Sequence, residues 1–169
     1  MEPKFISFKV ETYDAISIYD YNPFIRKLVY QFKGCYDYEL CEVFLNMFYR
    51  ELKLWFSDYY VIPVPSYAEE DEERGFNHVV ETFKCLGLKS LNILMKTEKH
   101  KQAISTVNER REVYKSLALK TEIDLNKKKV LIIDDIYTTG STMKSAINLI
   151  EKLNPKNIKV LVVAKTKPK

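Results

Sequence analysis

The strongest pattern in the chain is a run of four consecutive apolar residues, Val130-Leu131-Ile132-Ile133. Such a run predicts a strand that is covered on both faces, as in a parallel sheet. Apolar residues then recur at helical spacing from Ser141 to Leu153, and a second β-branched run extends from Ile158 to Ala164. This part of the chain therefore predicts a strand–helix–strand unit with a right-handed crossover.

The first third of the chain is rich in aromatic residues and predicts helices. Asn22 suits a helix cap, Pro23 suits the first helical position, and Gly34 can end the helix. A second helix is predicted from about Asp37 to Phe56. Its predicted inner face consists of Leu40, Phe44, Leu45, Met47, Phe48 and Leu52.

Strands and helices alternate after residue 57. Residues 59–65 predict a short strand, residues 76–86 a helix that Gly87 ends, and residues 91–95 and 116–119 two further strands. This alternation predicts an α/β fold with a parallel sheet. We expect a helical segment over residues 1–57 and a core over residues 58–169, packed as one compact unit, because 169 residues suit a single domain.

The segment from Val130 to Thr142 combines the features of a phosphate-binding site. Ligands of parallel α/β sheets bind outside the carboxyl ends of strands, where Asp134 and Asp135 are expected. The following residues lead into the predicted helix, and their backbone N–H groups can converge beside the positive end of its dipole. These residues are Tyr137, Thr138, Thr139, Gly140, Ser141 and Thr142. We therefore predict a cradle for a monophosphate.

The two aspartates suit a different part of the ligand. Carboxylates repel phosphate, whereas they bind sugar hydroxyls or a metal ion. A phosphate cradle beside two acids describes a ribose 5-phosphate site. The segment is not a Walker loop, because Gly-x-x-x-x-Gly-Lys is absent, nor a dinucleotide fingerprint, because Gly140 is its only glycine. The competing interpretation is a capped strand-to-helix turn with two solvated acids.

Residues 130–142, VLIIDDIYTTGST, resemble the binding motif of type I phosphoribosyltransferases. The resemblance implies a parallel sheet flanked by helices, an N-terminal helical hood, bound Mg2+, and transfer of phosphoribosyl from 5-phosphoribosyl-1-pyrophosphate with release of pyrophosphate. It implies that Asp134 and Asp135 hold the ribose hydroxyls and that residues 137–142 wrap the 5-phosphate. Whether this chain is an active phosphoribosyltransferase stays open.

The same resemblance implies a pyrophosphate loop after the first core strand, where Pro65, Ser66 and Tyr67 fall. Magnesium would neutralise the leaving pyrophosphate. A basic loop is expected to close over the site, and residues 84–129 hold twelve basic and five acidic residues. The candidate basic or mobile-loop residues are Arg74, Lys101, Gln102, Arg110 and Arg111.

Further motifs resemble the ComF family of phosphoribosyltransferase-like proteins. The most specific is Arg74-Gly75-Phe76-Asn77, which is accompanied by Tyr21, Arg26 and Phe32-Lys33-Gly34 near the N-terminus. The resemblance covers most of the chain, from about Tyr21 to Ala164, and implies a role in DNA uptake during natural transformation. Arg74 can equally belong to a turn and helix start in which Phe76 plugs the core.

The chain departs from the family pattern at several places. It has no ligand set for the N-terminal zinc module of many relatives, so we predict no zinc site. Residues 69–73, EEDEE, are acidic where relatives are commonly basic, and they are expected to form a solvated turn. Val113 stands where relatives often carry asparagine after the loop arginine. Thr138 replaces the acid that serves as the base in hypoxanthine-type salvage enzymes, which disfavours that activity.

Composition limits the kinds of ligand and the cellular location that we expect. A net charge of +4 is compatible with an anionic substrate or nucleic acid. Three cysteines without a Cys-x-x-Cys pair, an N-terminus unlike a signal peptide, and the lack of a long apolar run predict a cytoplasmic protein that does not insert into a membrane. Three functions stay open: a phosphoribosyltransferase of nucleotide metabolism with an unknown acceptor, a factor that engages single-stranded DNA and DNA-import proteins, and a ligand sensor without turnover.

Overall fold

A computed structural model describes residues 5–34, 38–41, 43–97 and 117–167. Within these residues, a six-stranded sheet has the order β1-β2-β8-β7-β3-β4, and β5 and β6 form a separate antiparallel pair. The strands are β1 (Ile6–Val10), β2 (Tyr13–Asp20), β3 (Tyr59–Pro63), β4 (Lys89–Ser90), β5 (Leu94–Lys96), β6 (Leu117–Leu119), β7 (Lys129–Tyr137) and β8 (Asn157–Lys165). The helices are α1 (Pro23–Gly34), a 3-10 helix (Tyr38–Cys41), α2 (Tyr49–Trp55), α3 (Ala68–Arg74), α4 (His78–Lys84) and α5 (Ser141–Glu151).

The sheet is parallel except at its edge, where β1 pairs with β2 in the antiparallel sense. β7 lies between β3 and β8, and its residues Val130 to Ile133 are at most 1% exposed. Because successive strand residues point to opposite faces, Leu131 and Ile133 pack on the side of α1, α2 and α4, and Val130 and Ile132 pack on the side of α5. This confirms the predicted parallel α/β fold with helices on both faces.

The C-terminal strand–helix–strand unit confirms its prediction closely. The predicted helix from Ser141 corresponds to α5, and the predicted strand from Ile158 corresponds to β8. β7 is longer than the apolar run, because its ladder with β8 continues through Tyr137, which pairs with Lys165. Both aspartates therefore lie within the last part of a strand rather than after its end.

The N-terminal region differs from its prediction. Residues 6–20 form β1 and β2, which were not predicted, and β2 pairs with β8. A continuous helix was expected from Asp37 to Phe56, but its described residues, 38–41 and 43–56, form a 3-10 helix, a run of turns and the short helix α2. Met47, placed on its inner face, is 65% exposed. The boundary between residues 57 and 58 stays a prediction, although β2 ties the first part of the chain to the core sheet.

The region after β3 also differs in detail. The acidic stretch at residues 69–73 lies in α3 and not in a turn, and Glu69, Glu70, Glu72 and Glu73 are exposed. Of the strand predicted over residues 91–95, only Leu94 and Met95 lie in a strand, β5, whereas β4 already ends at Ser90. No helix in the described part of the chain is both long and apolar enough to cross a bilayer.

Candidate functional site

The carboxyl ends of β3 and β7 lie side by side. Pro63 pairs with Ile133, and the Val64 N–H donates to the Ile133 carbonyl at 2.9 Å. After β3 the chain continues to β4 on one side, and it then returns to form β7 on the other side of β3. Ligands of open α/β sheets bind outside the strands at such a switch point. The topology thus brings the loop after β3 and the loop after β7 to one edge of the sheet, the one formed by the carboxyl ends of the parallel strands.

The loop between β7 and α5 forms a concave surface. A cavity of about 30 Å3 lies in it. Its lining consists of the six predicted phosphate-binding residues, Tyr137, Thr138, Thr139, Gly140, Ser141 and Thr142, together with Asp134, Ile136 and Met143. The first turn of α5 contains no acidic residue, so its unpaired N–H groups and the helix dipole present positive potential there.

Gly140 permits the tight approach of this loop to its own strand. It adopts φ +79°, in the left-handed region, directly before α5. A Cβ atom at this position would lie 2.2 Å from the hydroxyl oxygen of Tyr137. The hydroxyls of Thr139 and Ser141 are 3.0 Å apart and hydrogen bonded. Glycine is therefore required both by the backbone conformation and by the Tyr137 ring.

The two aspartates leave β7 on opposite faces. Asp134 lines the cavity on the α5 side, and Asp135 contacts residues of α1 and α4 on the other side. The carboxylate of Asp134 nevertheless turns back to accept from the Asp135 N–H at 2.9 Å, and that of Asp135 accepts from the Ile136 N–H at 2.7 Å. The acids stay close enough to influence each other, although their surroundings differ.

These surroundings divide the charge between the two carboxyl groups. Burial, followed by the charge of Asp135, raises the pKa of Asp134 well above its usual value. Burial alone would also raise the pKa of Asp135, but the Lys33 ammonium and His78 outweigh it, and the pKa of Asp135 is lowered. The negative charge of the pair is thus held on Asp135, beside the cation.

The predicted pyrophosphate loop, Pro65 to Tyr67, follows β3 at the same edge. The Ser66 hydroxyl donates to the Asp71 carboxylate and accepts from the Asn77 amide at 2.9 Å. The Lys96 ammonium lies 4.1 Å from the centroid of the Tyr67 ring. The loop is therefore braced by α3 and by the residue before α4, and a cation lies beside it.

Arg74 is placed differently from a residue that closes over a ligand. Its side chain is 7% exposed, and its guanidinium donates to Asp71 at 3.1 Å. It also lies 3.1 Å from the His78 Nδ1 atom. Since arginine only donates, Nδ1 must accept, and the proton of a neutral imidazole lies on Nε2. This nitrogen faces the Asp135 carboxylate at 3.7 Å.

Four residues around the site were not among the predicted site residues: Lys33, Asp71, His78 and Lys96. Lys33 was noted only as part of the Phe-Lys-Gly motif, and Asp71 only as part of an acidic run. His78 directly follows the Arg-Gly-Phe-Asn motif, and this adjacency was the available signal for it. The predicted residues Lys101, Gln102, Arg110 and Arg111 lie outside the described part of the chain.

The site belongs to a known class of domain. Residues 89–169 match the family described as the phosphoribosyl transferase domain. This match contains β7, the loop that lines the cavity, and α5, so the chain carries a phosphoribosyltransferase-like domain with a mostly parallel sheet.

Comparison with curated proteins narrows the class. The chain is 29% identical over 143 residues to the competence protein ComFC of Streptococcus pneumoniae, covering 85% of this chain and 64% of the relative. It is 30% identical over 146 residues to ComFC of Bacillus subtilis, covering 80% and 58%, and 27% identical over 113 residues to competence protein F of Haemophilus influenzae, covering 62% and 49%. The chain is thus similar to proteins of the ComF family over most of its length. It spans between 49% and 64% of the length of these curated relatives.

Solved structures of low sequence similarity were also found. A purine phosphoribosyltransferase from Pyrococcus horikoshii is 18% identical, with a TM-score of 0.43 and coverage of 75% of this chain and 72% of that chain. A hypoxanthine phosphoribosyltransferase from Staphylococcus aureus is 13% identical, with a TM-score of 0.45 and coverage of 76% and 73%.

Proposed function

We propose that this chain binds 5-phosphoribosyl-1-pyrophosphate with Mg2+ and acts in DNA uptake during natural transformation. One observation carries the binding proposal: β3 and β7 end side by side, so that the cradle, the acidic pair and the loop of residues 65–67 share one edge of the sheet. The role in competence rests on the names of the curated relatives.

The parts of the site suit the parts of this ligand. The cradle before α5 offers backbone N–H groups and hydroxyls to the 5-phosphate, at the positive end of a helix. Asp134 lines the same cavity, so its carboxyl is available to the ribose hydroxyls beside the phosphate. The loop after β3, with Lys96 beside Tyr67, faces the same edge and is suited to the pyrophosphate.

The donor set fits a magnesium ion that the ligand shares. The described residues contain no group of three or more histidine, cysteine or acidic side chains able to hold a metal by themselves. Magnesium is commonly bound by one or two carboxylates together with substrate phosphates and water. Asp134 and Asp135 provide such carboxylates. When bound, Mg2+ would neutralise the charge of the pyrophosphate.

Isothermal calorimetry tests this proposal. We expect 5-phosphoribosyl-1-pyrophosphate to bind in the presence of Mg2+ and to bind more weakly in EDTA, with ribose 5-phosphate weaker than either. The double variant Asp134→Ala, Asp135→Ala should bind at least about 100-fold more weakly, since each lost hydrogen bond to a charged group costs about 1.5–3 kcal/mol.

A matched control uses two aspartates at the other end of the strands, away from the proposed site. Asp14→Ala with Asp58→Ala removes the same number and type of side chains, and both residues lie near the amino ends of their strands. This variant should bind like the wild type. Circular dichroism must show that both double variants are folded. Equal affinity in the folded Asp134, Asp135 variant, or no binding of millimolar ligand by the wild type, would refute the site.

The role in DNA uptake needs a cellular readout. We expect a host strain with the Asp134, Asp135 double variant to show a lower transformation frequency than one with the control variant, at equal protein levels. Equal frequencies, with ligand binding lost in the first variant only, would separate ligand binding from DNA uptake and contradict that part of the proposal.

A further inference from the structure

The end of helix α1 reaches the acidic pair through Lys33. The Lys33 ammonium contacts the Oδ2 atom of Asp135. The lysine side chain is 31% exposed and the aspartate side chain 14% exposed, so the ion pair is largely screened from water. A partly buried ion pair is strongly coupled, because the local dielectric constant is lower than that of water.

The Arg-Gly-Phe-Asn motif holds Lys33 in this position. The Arg74 Nε–H donates to the Lys33 carbonyl at 3.3 Å. The Phe76 ring stacks on the Phe32 ring, with centroids 5.4 Å apart and planes inclined by 28°. Contacts on two consecutive residues of α1 thus attach the end of this helix to the end of α3 and to the turn before α4, and the lysine side chain is directed to Asp135.

A second donor faces the same carboxylate oxygen. With Nδ1 of His78 accepting from Arg74, its Nε2–H is directed toward Asp135 Oδ2 at a distance of 3.7 Å. The oxygen therefore has a cation and an N–H group around it. No ion pair of Asp134 occurs among the residues that the structure describes. The two carboxyl groups are unequal in their access to an added cation.

We propose that Lys33 is a positioning residue, the resident counter-ion of Asp135, and that it competes with a divalent cation for this carboxylate. A metal ion near Asp135 would meet the ammonium at short range, and like charges at that distance repel by several times the thermal energy. The acidic pair by itself therefore binds a divalent cation weakly. The cation enters with the phosphates of the ligand, which supply the additional negative charge. Entry of the cation with the ligand rests on the proposed function, whereas the competition and the weak binding of a cation by the acidic pair alone do not.

Binding of Mn2+ alone, without any phosphoribosyl ligand, tests the competition. We expect Lys33→Met to bind Mn2+ at least about tenfold more tightly than the wild type in an electron paramagnetic resonance titration of free Mn2+. Lys27→Met, a change of an exposed lysine on the same helix, should bind like the wild type. Lys33→Arg keeps a cation at the position and should also bind like the wild type.

Removal of one partner of a buried ion pair can unfold a protein, so the test includes Lys33→Met combined with Asp135→Asn. This pair of changes leaves no unpaired charge, and its Mn2+ affinity should return to the weak value of the wild type. Equal Mn2+ affinity in the wild type and in folded Lys33→Met would overturn the proposal. An increase that is retained when Asp135→Asn is added would also overturn it, because the metal would then bind elsewhere.

The outcome separates this inference from the proposed function. Tighter Mn2+ binding by Lys33→Met, with no binding of 5-phosphoribosyl-1-pyrophosphate by any variant, supports the competition and refutes the ligand. Normal ligand binding with Mg2+, together with an unchanged Mn2+ affinity in Lys33→Met, supports the ligand and refutes the competition.

Discussion

His78 is expected to make the stability of this protein depend on pH. The side chain is 5% exposed. Burial first, and then the nearby Lys33 ammonium, lower the pKa of His78 from 6.5 to about 4, although Asp135 opposes the change. Between these two values the unfolded chain binds a proton that the folded chain does not bind. The free energy of unfolding therefore falls as the pH falls from about 6.5 to about 4, and the contribution is constant outside that window.

The size of the effect follows from the two pKa values. Proton linkage over the whole window amounts to about 3 kcal/mol, and about 2 kcal/mol of this is lost between about pH 7 and about pH 5. A domain of ordinary stability has about 5–15 kcal/mol in total. The loss is therefore large enough to move a urea midpoint visibly before most carboxylates begin to titrate.

Urea unfolding at pH 7, 6 and 5 in EDTA measures this loss, and His78→Asn is the matched variant. The asparagine oxygen can accept from Arg74, but it does not titrate. We expect the variant to be less stable than the wild type at pH 7 and to lose about 2 kcal/mol less on the way to pH 5. Parallel losses in the two proteins, or a folded-state NMR titration of the His78 ring near its ordinary pKa, would refute the reasoning.

Three further predictions follow from particular contacts. Gly140→Ala places a Cβ atom 2.2 Å from the Tyr137 hydroxyl oxygen at a φ of +79°. We expect the free energy of unfolding in urea to fall by about 1–2 kcal/mol and ligand binding in calorimetry to weaken. Normal binding would contradict the proposed cradle. Phe32 is 2% exposed, so Phe32→Ala should lower the free energy of unfolding in urea by about 3–5 kcal/mol. Phe24 on the same helix is 55% exposed, so Phe24→Ala should change it by less than about 0.5 kcal/mol. Similar losses in the two variants would argue against the packing of α1. Asp58→Asn removes an exposed ion pair and should change the free energy of unfolding by less than about 1 kcal/mol, so a larger loss would show that the pair is not solvated as described.

The C-terminal part of the fold could be predicted because its local signals agree. Helices cover both faces of β7, so its residues are apolar on both faces. A run such as Val130 to Ile133 is therefore typical of a buried parallel strand and of few other structures. The buried residues Met143, Ala146, Ile147 and Ile150 repeat at the spacing of one helix face. The concave loop before α5 could be predicted for the same reason, because the residues that line it are nearly contiguous in the chain.

The first two strands were missed although their pattern was present. Ile6, Phe8 and Val10 alternate with polar residues, and this period of two is the mark of a half-buried strand. β1 lies at the edge of the sheet and exposes one face, so its apolar residues are few and give a weaker signal than those of β7. The edge position explains both the alternation and the difficulty of seeing it.

The helix predicted over residues 37–56 failed for a different reason. Tyr19 donates from its hydroxyl to the Phe44 carbonyl at 3.0 Å, and Phe44 and Leu45 are buried. This tertiary contact requires a carbonyl that is available to a side chain, which favours turns over a continuous helix in that stretch. A contact between residues so far apart in the sequence leaves no trace in local periodicity.

The acidic pair also depends on contacts between residues far apart in the sequence, and there these contacts matter most for the proposed function. The chain order presents Asp134 and Asp135 as equivalent neighbours, but a strand sends successive side chains to opposite faces. Only the tertiary fold brings Lys33 and His78 to one of these faces and leaves the other beside α5. The Arg-Gly-Phe-Asn motif then has a physical purpose that its local sequence does not reveal, since Arg74 holds the end of α1 against the site. If Lys33 competes with the metal as proposed, this motif controls metal binding at Asp135 without touching the ligand.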